Sequence, residues 1–221
     1  MALARALAAD PRLLLLDEPL AALDARTRMD VRSRLQRHLR AFDGPVLVVT
    51  HDPVEAMVLA DRLLVIEDGR VVQDGSPAEV SRRPATDYVA RLLGLNLLRG
   101  SVSDESEPGA VRLDGGGTLV SAAPAVGRVL VVLRPSAVTV HTGHPEGLST
   151  RNVWQGTVAS LEPLGDRVRL QVEGAPSVLV DVTPSAVADL ALRPGSAVWL
   201  SAKATEVEAY ADPFADSSTS P

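Results

Sequence analysis

Two short apolar runs, each ending in a residue with chemistry to offer, constrain this chain more than anything else in it. Leu13–Pro19 reads LLLLDEP and Pro45–His51 reads PVLVVTH. Apolar runs this short, bounded by polar residues, are those of buried parallel strands. Between them, Ala25–Phe42 sets Met29, Leu35, Leu39 and Phe42 among many Arg, the spacing of an amphipathic helix with an Arg-rich outer face. Asp43-Gly44-Pro45 stops that helix. Strand, helix and strand of this size imply a right-handed crossover between parallel neighbours. Both runs then end at one sheet edge, the carboxyl edge, where open α/β sheets bind their ligands.

The residues at that edge suit phosphate chemistry. Asp17 ends the first run and is placed to hold Mg²⁺ through water, since Mg²⁺ keeps part of its hydration shell. Glu18, one residue on, is placed to orient and deprotonate an attacking water. Leu20–Asp24 (LAALD) follows at once. His51 ends the second run, where an imidazole contacts a γ-phosphate or the water opposite the glutamate. Downstream, the pattern predicts a helix over Pro53–Ala60 and a strand over Arg62–Glu67. An Asp68-Gly69 hairpin turn leads into Arg70–Gln73, and Ser76-Pro77-Ala78-Glu79 starts a capped helix.

From about Leu97 helical periodicity stops, and short Val- and Leu-rich segments alternate with Gly, Pro, Ser and Asp turns, as in a small β-barrel. Aromatics make up only 3% of the 221 residues, so Leu, Val and Ala must build the core. The segment repeats itself. Gly100-Ser101-Val102, Val111-Arg112-Leu113 and Leu130–Val140 match Gly156-Thr157-Val158, Val168-Arg169-Leu170 and Val198–Glu208, with His141–Ser149 as the link. There is no Cys, which excludes thiolate metal sites and a Cys nucleophile. The net charge of −6 disfavours a nucleic-acid binder. No apolar run is long enough for a membrane span. The opening MALARALAADP lacks the features of a signal peptide, so a cytoplasmic chain is expected.

ALARALAADPRLLLLDEPLAALD, followed by VLVVTHDPVEAMVLADRLLVIEDGRVVQDGSPAEV, resembles the second half of an ABC-transporter ATPase subunit over residues 1–95. The resemblance implies that Leu13–Asp17 is the Walker B strand, Asp17 its Mg²⁺ carboxylate and Glu18 the catalytic base. It makes Leu20–Asp24 the D-loop, with Ala21 in place of the usual Ser and Asp24 retained, and His51 the switch histidine. A P-loop needs a Gly-rich cradle and a Lys. The one Lys here is Lys203, and Gly115-Gly116-Gly117 runs into Thr118-Leu119 as a turn. The signature motif is missing too. The chain therefore reads as the C-terminal part of such a subunit, a truncated reading frame rather than a natural short protein. By itself it is expected to be inactive in ATP hydrolysis and prone to misassembly through exposed edges.

The second segment resembles the molybdate-binding Mop-type domain of the TOBE class over residues 149–210, through STRN, GTV, LGDRVRLQV, VTPSAV and KATEV. That resemblance places oxyanions between barrels, held by Ser149, Arg151, Asn152, Thr183 and Lys203. The family's S-A-R-N is S-T-R-N here. A hydroxyl expected three residues after Thr183 is lost at Ala186, and Ser185 is expected to point elsewhere.

The expected fold class is α/β, the C-terminal half of a P-loop NTPase parallel sheet, followed by an all-β OB-like TOBE barrel. The expected divisions are 1–96, a first barrel segment 97–141, an oxyanion barrel 142–211 and a frayed tail 212–221. The expected function is the ATP-hydrolysing subunit of an oxyanion importer, molybdate foremost, using ATP and Mg²⁺. It would be a homodimer on the inner face of the membrane, with permease subunits and an external oxyanion-binding protein as partners. The alternative is an oxyanion-binding regulatory or storage module without ATPase activity.

Overall fold

The computed structural model describes residues 11–103, 107–147 and 149–215. The chain forms two compact units that meet in sequence at Val80 and Ser81. Among the described residues no helix is long and apolar enough to cross a membrane.

The first unit opens with β1 (Leu14–Asp17), α1 (Ala25–Ala41) and β2 (Val46–Val49). The strands pair parallel, Leu14 with Val46 through Asp17 with Val49, so the two run ends sit side by side as the sequence predicts. Leu14 and Leu35 are buried, but Leu15 is 63% exposed and Leu47 53%. The strands are thus covered on one face only, where burial on both was expected. Among the described residues the sheet holds just these two strands. Next come α2 (Pro53–Leu59), the antiparallel hairpin β3 (Leu63–Glu67) and β4 (Arg70–Gly75), and α3 (Pro77–Arg82). Asp68 and Gly69 both take positive φ, 49° and 75°, as the primed turn of a two-residue hairpin requires. The predicted capping box forms: the Ser76 N–H donates to Glu79 Oε2 at 2.8 Å, and the Glu79 N–H returns a bond to Ser76 Oγ at 3.3 Å.

The second unit takes in residues 81–96, which the sequence pattern grouped with the first. It contains α4 (Asp87–Leu92), β5 (Asn96–Val102), β6 (Ala110–Leu113), β7 (Thr118–Val120), β8 (Gly127–Leu133), β9 (Thr139–His141), β10 (Asn152–Leu164), β11 (Arg167–Gly174), β12 (Val178–Val182), α5 (Pro184–Asp189), β13 (Ala197–Ala202) and β14 (Val207–Ala211). Short 3-10 turns, Pro135–Ala137 and Ala204–Glu206, precede β9 and β14. Residues 81–96 belong here because their partners do: Tyr210 Oη donates to the Pro84 carbonyl at 2.7 Å, and Arg83 pairs with Glu208 at 2.8 Å.

The two five-stranded sheets run β7-β6-β5-β8-β14 and β12-β11-β10-β13-β9. The orders are equivalent except that the last strand of each repeat has crossed over. β9 follows β8 in sequence but pairs with β13, while β14 follows β13 and pairs with β8. The segments 97–141 and 142–211 are therefore not separate barrels. They share one apolar core, from Val111 and Leu133 through Leu170 and Leu200 to Val207. Two buried amides lock the exchange. Asn96 pairs through both side-chain atoms with the backbone of Leu179, and Asn152 does the same with Val120.

Strand register corrects the alignment of the repeats. Asn96 faces Leu133, and Asn152 faces Ala202. Leu133 is therefore the counterpart of Ala202, and Arg134 that of Lys203, one residue away from the sequence alignment. Gly100 matches Gly156 as expected, but Val111 matches Val172, not Val168. A Cβ at Gly100 would fall 2.5 Å from the Arg112 carbonyl oxygen, and one at Gly156 2.5 Å from a Val172 methyl. Close strand approach is thus why both positions are Gly. The expected frayed tail starts later than 212, since Asp212 is bound to Arg99 at 3.3 Å and accepts from the Phe214 N–H. Residues 216–221 of that tail lie outside the described residues, as does MALARALAAD at the start.

Candidate functional site

Glu18 extends the parallel ladder by one bond, its N–H donating to the Val49 carbonyl at 2.9 Å, and then turns sharply with φ at 46°. A non-Gly residue in that region is held there by its surroundings. Here the surroundings are the neighbouring strand end. Glu18 Oε1 accepts from the His51 N–H at 3.0 Å and lies 2.7 Å from His51 Nδ1. The hydrogen bond that Glu18 accepts from the ring, and its negative charge, raise the His51 pKa above the ordinary histidine value. The imidazole is 81% exposed, so its other nitrogen is open to a ligand. Among the described residues Glu18 Oε2 has no protein partner. Asp17 is exposed at the end of β1, one residue before this pair.

Asp24 has a structural role at the same edge. Its carboxylate caps α1, accepting from the N–H groups of Arg26 and Thr27 at 3.1 and 3.0 Å. The Thr27 bond foremost holds its pKa below the usual carboxylate range. Asp52, which the sequence reading passed over, caps α2 through Val54 and Glu55 and lies 3.3 Å from Arg32 and 3.7 Å from Arg28. Glu55 is 2% exposed and accepts from the Thr50 hydroxyl at 2.9 Å. The Thr-His-Asp-Pro run signalled this: an Asp before Pro at a helix start is a cap.

The five residues expected to hold an oxyanion do not converge within the chain. Asn152 is 2% exposed, and both atoms of its amide are taken up by Val120. Arg151 is exposed and paired with Glu107 at 3.4 Å. Arg151 and Glu107 flank an open cleft of about 500 Å³, with Ser121–Pro124 and Ala204 among its lining. Ser149 and Lys203 are exposed near this end of β10, Lys203 directly after β13. Thr183 is elsewhere. It follows Val182, which pairs with Val168, and Val168 in turn pairs with Pro163, eleven residues along β10 from Asn152. That is about 35 Å of strand contour. Thr183 caps α5, bonding the Ala186 N–H, and its hydroxyl lies 2.9 Å from Ser185 Oγ, so Ser185 does not point away as expected.

The TOBE domain family matches residues 148–209. The "Molybdenum import ATP-binding protein ModC" of Mycobacterium tuberculosis is 37% identical over 227 residues, covering 99% of this chain and 60% of that protein. Over nearly its whole length the chain is thus similar to part of the ATP-binding subunits of ABC transporters. Also similar to it are the "Molybdate/tungstate import ATP-binding protein WtpC" of Pyrococcus horikoshii and the "Sulfate/thiosulfate import ATP-binding protein CysA 2" of Chromobacterium violaceum. The first is 33% identical over 95% of the chain and 60% of the relative, the second 36% over 95% and 57%. The chain thus spans about 60% of the length of the curated relatives it matches.

Proposed function

We propose that this ABC subunit supplies the water-activating half of an ATP site in an oxyanion importer. The observation that carries the reading is the Glu18–His51 pair at the carboxyl edge of β1 and β2. Glu18, with one oxygen held by His51 and one open, is the base toward an attacking water. His51 presents its exposed nitrogen to the γ-phosphate. Asp17, an exposed carboxylate one residue away, is a hard oxygen ligand suited to hydrated Mg²⁺. ATP itself needs a phosphate cradle that residues 11–215 do not carry, so the chain alone is inactive in hydrolysis. The working form is a homodimer at the inner face of the membrane with permease subunits and an external binding protein.

The test is a chimera in which the P-loop and signature segment of the Mycobacterium tuberculosis relative precedes this chain. ATP turnover lost in Glu18→Gln is the expected result. Turnover that survives Glu18→Gln overturns the reading.

Molybdate is the favoured cargo, because the relatives include molybdenum and molybdate/tungstate importers alongside a sulfate importer. As for the barrel, Arg151 with Ser149 and Lys203 is the proposed anion-facing end. Thr183 enters such a site only from another copy of the chain, since β10 separates it from Lys203. Calorimetric titration with molybdate tests this. Heat that vanishes in Arg151→Gln supports it, and no heat at millimolar molybdate refutes it.

A further inference from the structure

We infer that Arg28 is a positioning residue that braces the loops carrying Glu18 and His51 against each other. Its mechanistic meaning rests on the ATPase reading above, while the brace itself rests on geometry alone. Arg28 Nη2 donates to the Leu23 carbonyl at 3.0 Å, in the turn between Glu18 and α1. Its Nη1 lies 3.7 Å from Asp52 Oδ2, in the turn between His51 and α2. Both turns are wound tightly and carry the connection on. In the first, the Ala21 N–H donates to the Glu18 carbonyl at 3.2 Å and the Leu23 N–H to that of Leu20 at 3.1 Å. In the second, the Asp52 N–H donates to Thr50 Oγ1 at 3.1 Å, and Asp52 Oδ1 caps α2. The Glu18–His51 contact closes the ring on the far side. A ring of this kind sets the separation of two strand ends in a sheet that, among the described residues, holds two strands.

Arg32 provides an internal control. It reaches the same Asp52 oxygen at 3.3 Å but, among the described residues, has no bond to the Leu20–Asp24 turn. The Arg32 side chain is 14% exposed and that of Arg28 33%, and the Nε of each is buried without a hydrogen-bond partner. What sets Arg28 apart is its planar fork, which spans the Leu23 carbonyl and the Asp52 carboxylate, as a Lys ammonium does poorly. Arg32 adds charge to Asp52, whereas Arg28 alone ties one turn to the other.

The experiment is amide hydrogen exchange by NMR on the full chain, read at the His51 N–H that donates to Glu18. Arg28→Met is expected to speed exchange there about tenfold, the loss of one hydrogen bond's worth of local protection, and Arg32→Met less than about threefold. A far-UV melt checks that each variant folds, and Arg28→Lys, which keeps the charge, replaces Arg28→Met if the latter does not. Rates at His51 within about twofold of the parent, or equal effects from Arg28 and Arg32, overturn the brace. In the chimera, Arg28→Lys is expected to lower kcat about tenfold with KM for ATP unchanged. An inactive parent chimera counts against the ATPase reading, and the exchange result still decides the brace.

Discussion

Replacing Asn152 with Ala is expected to cost about 3 kcal/mol, more than removing the exposed charge of Arg151 beside it. The side chain is 2% exposed, and its amide makes two hydrogen bonds to one residue, 2.6 Å from the Val120 N–H and 3.0 Å to the Val120 carbonyl. Truncation removes both bonds and leaves a buried donor and a buried acceptor unanswered, at about 1–3 kcal/mol each where no water replaces the amide. Partial rehydration from the neighbouring cleft places the sum near the lower end, about 3 kcal/mol. For a unit of this size that is a fall of roughly 6–12 °C in Tm. The assay is tryptophan fluorescence against temperature. Trp154 and Trp199 are the only two in the chain, and both lie in the second unit, so the signal follows that unit alone. Arg151→Ala, next in sequence, removes an exposed ion pair and is expected to move Tm by no more than about 2 °C. A melt of Asn152→Ala as close to the parent as that of Arg151→Ala refutes the reasoning. So does Asn152→Asp at parental stability, since it sets an oxygen against the Val120 carbonyl.

Four further outcomes follow from the same geometry. His51 titrates above its ordinary value of about 6.5, and Glu18→Gln brings it back. Because the folded pKa is the higher one, the pair's contribution is full below about pH 6.5 and is lost as pH rises through the folded value, which an NMR titration of the ring reads directly. Gly156→Ala forces a Cβ to 2.5 Å from Val172 and 2.8 Å from the Glu173 carbonyl oxygen, and is expected to destabilise the second unit by about 1–3 kcal/mol in the fluorescence melt. Asp24→Ala uncaps α1 and costs about 1 kcal/mol, read as lost helical ellipticity at a lower temperature. Glu107→Gln frees Arg151 of its carboxylate and is expected to tighten molybdate binding in calorimetry; weaker binding would show that Glu107 is not the competitor.

Much of the first unit is legible from neighbouring residues. Asp-Gly demands a primed turn, Ser76 and Glu79 are three apart as a capping box needs, and two apolar runs around an amphipathic helix pair in parallel. Glu18 and His51 meet because strand ends in a parallel pair must. What local pattern missed is of another kind. Arg28 reaches Asp52 across 24 positions, and nothing in the Arg-rich stretch of α1 distinguishes it from Arg26 or Arg34. Both strands were expected to be buried on two faces, and Leu15 and Leu47 are exposed on one.

In the second unit the sequence determined the strands and their repetition, because a two-residue alternation and turn residues act over a few positions. It did not determine which sheet the last strand of each repeat joins. β9 and β14 carry the same short apolar pattern and would satisfy either edge, so the shared core and the amides of Asn96 and Asn152 decided it. The same tertiary choice took Asn152 out of ligand chemistry and moved Thr183 to the far end of the sheet from Lys203. The physical reason is range: hydrogen-bond register and side-chain periodicity are local, whereas the pairing of segments 32 and 83 residues apart is settled only when one core buries them together.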